Sequence, residues 1–195
     1  MASLPPDALT RLLAELTHGL EFRHIPFMLI GGQAVLLHGR PRLTDDVDAT
    51  LGVGPEQLAT VLEACTAIGL EPLPGDVSGF VAETFVLPTR HAASAMRVDL
   101  IFSTLPYEAH AIERAIRVRI GGADVPFATA EDLLVHKLFA GRPRDLEDAV
   151  GVIRRQGDAI DWNYITQWVG AFAEVPGREH LPELLRQLRE DAAEG

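Results

Sequence analysis

The sequence predicts an α+β fold in which a mixed sheet flanked by helices is followed by a C-terminal helical lobe. Up to about residue 128, short apolar runs of strand length alternate with segments of helical apolar periodicity. From residue 129 onward the periodicity is helical. We therefore expect residues 1–130 to form the sheet-containing core and residues 131–195 to form a helical lobe packed on it.

The first part of the chain predicts a β-α-β-α arrangement after an initial helix. Pro5 and Pro6 open that helix, and its leucines recur on one face, which is typical of a helix packed against a core. The segments that follow are a strand at 27–30, a helix from 33, a strand at 46–51 and a helix from 55. The last of these begins with proline, which is favoured in the first helical turn.

The second part of the chain predicts strands at 79–87 and 97–102, a helix near 107–114 and a hairpin of 116–120 with 125–128. The glycine-bearing connection inside the last pair is typical of a hairpin. Thr129 and Asp161 are each placed to cap a helix, because their side-chain oxygens can accept hydrogen bonds from free backbone N–H groups.

Composition limits the classes of protein to consider. The single cysteine, Cys65, has no partner for a disulfide, so we expect a reduced, cytoplasmic protein. We find no export signal and no apolar run long enough to span a membrane. The formal net charge of -11 argues against broad, sequence-independent binding of nucleic acids.

Three aspartates predict a metal site. Asp46 and Asp48 are two apart on a predicted strand, so their carboxylates face the same way, whereas Asp45 faces the opposite side and is predicted to be a bystander. Asp99 lies on a second predicted strand. Oxygen ligands of this kind suit Mg²⁺ or Mn²⁺, and a third carboxylate would complete a two-metal site for chemistry on phosphates.

A glycine pair precedes these aspartates. Gly31 and Gly32 follow a short apolar strand and lead into a helix-like run. Glycines at such a turn let backbone N–H groups approach a phosphate, and the helix N-terminus adds partial positive charge.

Simpler interpretations of these residues stay open. The aspartates would then belong to a solvated turn and an edge strand, and the glycines to a tight turn. Lys137 would be an ordinary solvated lysine, and Arg144 with Asp148 would form a surface salt bridge. We favour the catalytic interpretation because the glycine pair and three aspartates occur together.

These motifs resemble the nucleotidyltransferase superfamily with the polymerase-β-like fold, whose signature is a Gly-Gly or Gly-Ser turn, Asp-x-Asp and a later acidic residue. The run 31–34, Gly-Gly-x-Ala, and the run 42–48, Arg-x-Thr-x-Asp-x-Asp, are most similar to the bacterial branch of AbiEii-type toxins. The run 131–148 resembles that branch's lysine-bearing helix and the Arg/Lys-Asp-x-x-Asp segment after it, so the resemblance covers about 27–148.

The resemblance implies transfer of a nucleoside monophosphate from a nucleoside triphosphate to an acceptor hydroxyl. Asp46, Asp48 and Asp99 would be catalytic and would hold the metal ions. The residues expected to bind the nucleotide or support the carboxylates are Gly31, Gly32, Arg42, Thr44, Lys137, Asp145 and Asp148.

The sequence leaves the acceptor open. An AbiEii-type protein implies RNA such as tRNA, or a protein, in a toxin–antitoxin context with a cognate partner. The alternatives are a small-molecule transferase of the antibiotic-modifying type, or a non-catalytic module that binds a nucleotide or a partner.

Overall fold

The computed structural model describes residues 7–42, 44 and 46–194. Pro5, Pro6 and Asp45, to which the sequence assigned a helix start and a bystander role, lie outside the described residues. The strands are β1 Phe27–Leu29, β2 Asp46–Leu51, β3 Leu70–Pro72, β4 Val86–His91, β5 Arg97–Phe102, β6 Ile116–Ile120 and β7 Ala123–Phe127.

In the described chain, seven strands form one sheet in the order β3-β4-β5-β2-β1-β7-β6. The β2–β5 and β1–β7 pairs are parallel and the others are antiparallel. Gly121 and Gly122, both with positive φ, form the two-residue turn between β6 and β7, as the hairpin prediction required. The predicted mixed sheet flanked by helices is confirmed.

The α-helices are α1 Asp7–Phe22, α2 Gly31–His38, α3 Leu58–Ala67, α4 Val77–Thr84, α5 Pro106–Glu113, α6 Ala130–Ala140, α7 Pro143–Gln156, α8 Trp162–Ala173 and α9 Leu181–Ala193. Among the described helices, none combines the length and the apolar character that a bilayer span requires. The predicted caps are confirmed: Thr129 accepts a hydrogen bond from the Asp132 N–H, and Asp161 accepts from the N–H groups of Asn163 and Tyr164.

The contacts divide the chain into two compact units. The first comprises the described residues of Met1–Gly32 and Thr44–Phe127, and it contains the whole sheet. The second comprises the described residues of Gln33–Leu43 and Ala128–Gly195, and it contains helices α6 to α9. The division of the protein into domains at residues 130 and 131 stays a prediction.

Each unit has its own apolar interior. In the first, alternate residues of β2 and β5 are fully buried, and the leucine face of α1 is buried at Leu12, Leu16 and Leu20. In the second, buried residues come from α6, α7, α8 and α9, with Leu133 and Ile165 among them. Each Å² of apolar surface removed from water stabilises the fold by about 25 cal/mol, so this burial is the main stabilising contribution to each unit.

The predicted strand at 79–87 is wrong. Residues 77–84 form α4, and the strand that follows, β4, begins at Val86. Asp76 accepts a hydrogen bond from the Gly79 N–H and so starts a helix, and Phe85, with a left-handed φ of 58°, ends it. Local capping therefore decides a segment whose apolar, β-branched composition suggested a strand.

Candidate active site

The three aspartates of the first unit lie on one face of two neighbouring strands. Asp46 and Asp48 are half-buried on β2, and Val47 between them is buried on the opposite face. In the parallel pairing of β2 with β5, Asp48 lies opposite Asp99 and Asp46 lies opposite Arg97. The fold therefore gathers the predicted carboxylates, and it adds a cation to them.

Gly31 lies directly against the Asp48 carboxylate. It is the first residue of α2, with a φ of +59°, and a Cβ there would overlap the carboxylate. The neighbouring Ile30 N–H donates to the Asp48 carbonyl at 2.9 Å, which holds the end of β1 against β2. Only glycine combines this backbone conformation with so close an approach.

The helix that we predicted from Gln33 thus begins at Gly31, and both glycines lie in its first turn. A Cβ at Gly32 would collide with the side chain of Thr44. The glycine pair therefore does more than form a turn, because the missing side chains of Gly31 and Gly32 leave the space that Asp48 and Thr44 occupy. The N-terminus of α2 carries the positive end of the helix dipole, which stabilises nearby negative charge.

Two side chains hold the carboxylates in place. The Thr44 hydroxyl donates to Asp46 Oδ1 at 2.5 Å, and the predicted contact of Thr44 with the nucleotide stays a prediction. Arg97 Nε donates to Asp99 Oδ1 at 2.7 Å. That hydrogen bond raises the pKa of the Arg97 guanidinium, and the charges of Asp99, Asp46 and Asp48 raise it further.

Arg97 was missed by the sequence analysis. It precedes Asp99 by two residues, so strand periodicity places both on one face, and that spacing was the available signal. The sequence does not predict its electrostatic interaction with all three aspartates, because that interaction depends on how β5 pairs with β2. We call Asp46, Asp48, Asp99 and Arg97 the carboxylate cluster.

The aspartates of the carboxylate cluster offer the kind of ligand atom that a hard divalent ion prefers, and they lie on neighbouring strands. All three acidic residues offer oxygen, the ligand atom that Mg²⁺ and Mn²⁺ prefer, from half-buried positions on one face. In the side-chain conformations seen here, no three acidic, histidine or cysteine groups of the described residues converge as a metal site. Thr44 and Arg97 instead occupy oxygens of Asp46 and Asp99.

The remaining predicted residues meet in the second unit. Lys137 Nζ donates to Asp145 Oδ1 at 2.7 Å and to Asp148 Oδ2 at 2.8 Å. Arg42 donates to both oxygens of Asp148, at 2.9 and 3.0 Å, and Arg142 donates to Asp145 at 2.6 Å. We call these five residues the lysine network.

The lysine network is buried at its centre. The side chains of Lys137, Asp145 and Asp148 are 7%, 5% and 6% exposed. Burial alone would raise the pKa of both carboxyl groups, but hydrogen bonds from arginine and from Lys137 outweigh burial, so each pKa is lowered. Asp145 and Asp148 are therefore charged near neutral pH.

This arrangement corrects two of the simpler interpretations. Lys137 is no solvated surface lysine, and the buried Asp148 is no member of an exposed salt bridge. Lys137 is also the one lysine of a sequence with sixteen arginines, since Lys and Arg together number 17. Its predicted contact with a triphosphate, and that of Arg42, stay predictions.

A family model confirms the predicted superfamily. The family described as "Nucleotidyltransferase of unknown function (DUF6036)" matches residues 7–181, which is most of the chain. The chain belongs to this nucleotidyltransferase family. Its placement in the AbiEii-type branch stays a prediction. No curated protein matches the chain in sequence.

Solved structures with the same fold include the antibiotic-resistance factor ANT(2'')-Ia, at a TM-score of 0.60 and 14% identity, covering 90% of this chain and 99% of that one. An antigenic nucleotidyltransferase-like protein from Paracoccidioides brasiliensis has a TM-score of 0.55 and 20% identity over 99% and 94% of the two chains. Lincomycin-bound LnuA, a lincosamide antibiotic adenylyltransferase, has a TM-score of 0.50 and 16% identity over 77% and 98%. At such identities the likeness shows the fold alone.

Proposed function

We propose that the protein is a Mg²⁺- or Mn²⁺-dependent nucleotidyltransferase that moves a nucleoside monophosphate from a nucleoside triphosphate to an acceptor hydroxyl. The observation that supports this most is the register of β2 with β5, which sets Asp48 beside Asp99 with Asp46 on the same face. Side chains of like charge gathered there repel one another unless cations lie among them.

Asp46, Asp48 and Asp99 would hold the divalent ions, and Asp46 and Asp99 would give up their contacts with Thr44 and Arg97. Bound there, such ions stabilise negative charge on the phosphates and on the attacking oxygen. The N–H groups at the start of α2 would bind phosphate oxygens beside Gly31 and Gly32.

In the reaction, the acceptor oxygen forms a bond to the α-phosphorus while the bond between the α-phosphorus and the bridging oxygen breaks. Pyrophosphate leaves with the electron pair of that bond. Asp99 would take the hydroxyl proton and pass it to solvent. Every atom of the triphosphate then lies in the new phosphodiester or in pyrophosphate.

The lysine network would act as a positioning device. Asp148 is held by Lys137 and accepts hydrogen bonds from Nε and Nη2 of Arg42, so it orients a charge that the resemblance assigns to nucleotide binding. Arg42 reaches solvent at 25% exposure, whereas Lys137 is enclosed. Direct contact of Lys137 with the triphosphate remains part of the proposal.

The acceptor is RNA such as tRNA, a protein, or a small molecule. An AbiEii-like role in the cytoplasm with a cognate antitoxin would favour the first two. ANT(2'')-Ia and LnuA, described as an antibiotic-resistance factor and an antibiotic adenylyltransferase, make a small-molecule acceptor the second candidate.

The test is transfer of label from each of the four α-labelled nucleoside triphosphates, with Mg²⁺, into the RNA, protein and small-molecule fractions of a cell extract. Asp48→Asn should abolish labelling, because it removes one charge from the cluster with little change in shape. Asp124→Asn is the matched control, since Asp124 is an exposed aspartate of β7. Equal labelling by the wild type and Asp48→Asn would refute the proposal.

A further inference from the structure

An open cavity of about 640 Å³ lies in the first unit beside α4. It is lined by Asp76, which caps α4, and by Phe80 and Glu83, which are three residues apart on one face of that helix. Phe80 and Leu73, which also lines the cavity, are 38% and 44% exposed. An open space therefore has a wall of large apolar side chains with two carboxylates along it.

The same cavity reaches the carboxylate cluster. Its far side includes Pro88, which lies opposite Asp99 in the β4–β5 pairing, and Arg97, whose Nε donates to Asp99. A molecule bound against α4 would therefore lie beside Arg97, which is itself bound to Asp99. These are the residues beside which the proposed reaction needs the acceptor hydroxyl.

The charge of the cavity selects among acceptors. Asp76 and Glu83 are exposed carboxylates, and the Arg97 guanidinium is bound to the Asp99 carboxylate. The surroundings are therefore net negative and oppose a polyanion such as an RNA backbone. The net charge of -11 for the whole chain acts in the same direction.

An arginine-lined cavity of about 950 Å³ in the second unit is the alternative site for an anionic acceptor, but three of its arginines already make hydrogen bonds within the protein. Arg42 binds Asp148, Arg154 donates to two backbone carbonyls of α9, and Arg155 donates to the Gly39 carbonyl. Of these two cavities, the one beside α4 is lined by a member of the carboxylate cluster, Arg97, and the other is not, so the observations favour the cavity beside α4.

We propose that the cavity beside α4 is the acceptor subsite, and that its acceptor is a small molecule with a hydroxyl, a positively charged amino group and an apolar face. This rests on the proposed nucleotidyl transfer. The amino group would lie near Glu83, the apolar face on Phe80 and Leu73, and the hydroxyl towards Asp99.

Three probes that share a phenyl ring and a hydroxyl test the charge preference: 2-amino-1-phenylethanol, 1-phenylethanol and mandelate, which are cationic, neutral and anionic. Binding to the full chain is followed by NMR shifts of backbone amides, without nucleotide or metal. The cation should bind about fivefold more tightly than mandelate and shift the amides of α4. Tighter binding of mandelate, or shifts confined to other elements, would overturn the proposal.

Two variants assign the contacts. Glu83→Gln should reduce the preference for the cation over mandelate by about threefold and leave the affinity for 1-phenylethanol unchanged. Phe80→Ala should weaken all three probes. Glu71→Gln and Phe22→Ala are the controls, since each alters an exposed side chain outside the cavity. Controls that change binding as much as the cavity variants would contradict the assignment.

Paramagnetic Mn²⁺ then tests the position of the site. Mn²⁺ bound at the carboxylate cluster should relax the protons of the bound cation, and Asp48→Asn should abolish that relaxation. If Mn²⁺ binds there without relaxing the probe, the cavity is not the acceptor subsite. If Mn²⁺ does not bind, the proposed function fails, while the affinity order of the three probes still decides the charge preference of the cavity.

Discussion

Replacing Lys137 by methionine tests the lysine network. The change removes the donor that bridges Asp145 and Asp148 and keeps a side chain of similar length. Each carboxylate retains an arginine, because Arg142 binds the first and Arg42 binds the second. The variant therefore isolates the contribution of the buried Lys137 ammonium to the free energy of unfolding.

The expected loss is about 3 kcal/mol in the free energy of unfolding. Two charge-assisted hydrogen bonds are worth about 1.5–3 kcal/mol each, and relief of the desolvation of Lys137 offsets part of that sum. The pKa values of Asp145 and Asp148 are lowered in the folded state, so the stabilisation is complete above the unfolded pKa of about 4. It disappears as pH falls through the lowered pKa values.

Urea unfolding of the wild type and Lys137→Met, at pH 7 and at acid pH down to 3, measures both effects. The difference between the two proteins should be full at pH 7 and should shrink below about pH 4. Arg144→Met, which removes an exposed cation from α7, the helix that carries Asp145 and Asp148, should change stability by less than about 0.5 kcal/mol. A Lys137→Met variant as stable as Arg144→Met at pH 7 would refute the reasoning.

Three further predictions concern single side chains. Gly31→Ala should destabilise by about 1–3 kcal/mol, more than Gly141→Ala, which has a similar positive φ but only an ordinary contact at 3.6 Å where Gly31 meets Asp48. Urea unfolding of both variants checks this, and equal losses would contradict it. Arg97→Ala should tighten Mn²⁺ binding about threefold, because a competing cation leaves the cluster. Calorimetric titration with Mn²⁺ measures it, and weaker binding would contradict it. Burial lowers the pKa of His136 to about 4, so stability should fall as pH drops from 6.5 towards 4, by at most about 3 kcal/mol. In His136→Gln the free energy of unfolding should depend less on pH in this range, and an unchanged pH dependence would contradict the role given to His136.

The sequence was most informative where its periodicity was local. The bounds predicted for the strands at 46–51 and 97–102 are confirmed, because buried apolar residues alternate with polar ones along both. The same alternation placed Asp46 and Asp48 on one face. These features depend on neighbours two residues apart, and a sequence displays them directly.

What the sequence did not reveal depends on contacts between distant residues. The pairing that sets Asp48 beside Asp99 follows from how the strands assemble. The bond from Arg42 to Asp148 joins residues 106 apart. Such contacts are decided by tertiary packing, so no spacing in the sequence indicates them. The strand prediction for 79–87 was wrong for a different reason, because the helix cap formed by Asp76 outweighs the strand-like composition of that segment.

The most direct test of the proposed nucleotidyl transfer is a parallel reaction with nucleoside triphosphate labelled at the α- or the γ-phosphate, with Mg²⁺ and the fraction that accepts label. We predict that α-label appears on the acceptor and γ-label in pyrophosphate, and that Asp48→Asn abolishes both products. Label on the acceptor from the γ-position, or α-label products that persist in Asp48→Asn, would contradict nucleotidyl transfer at these carboxylates.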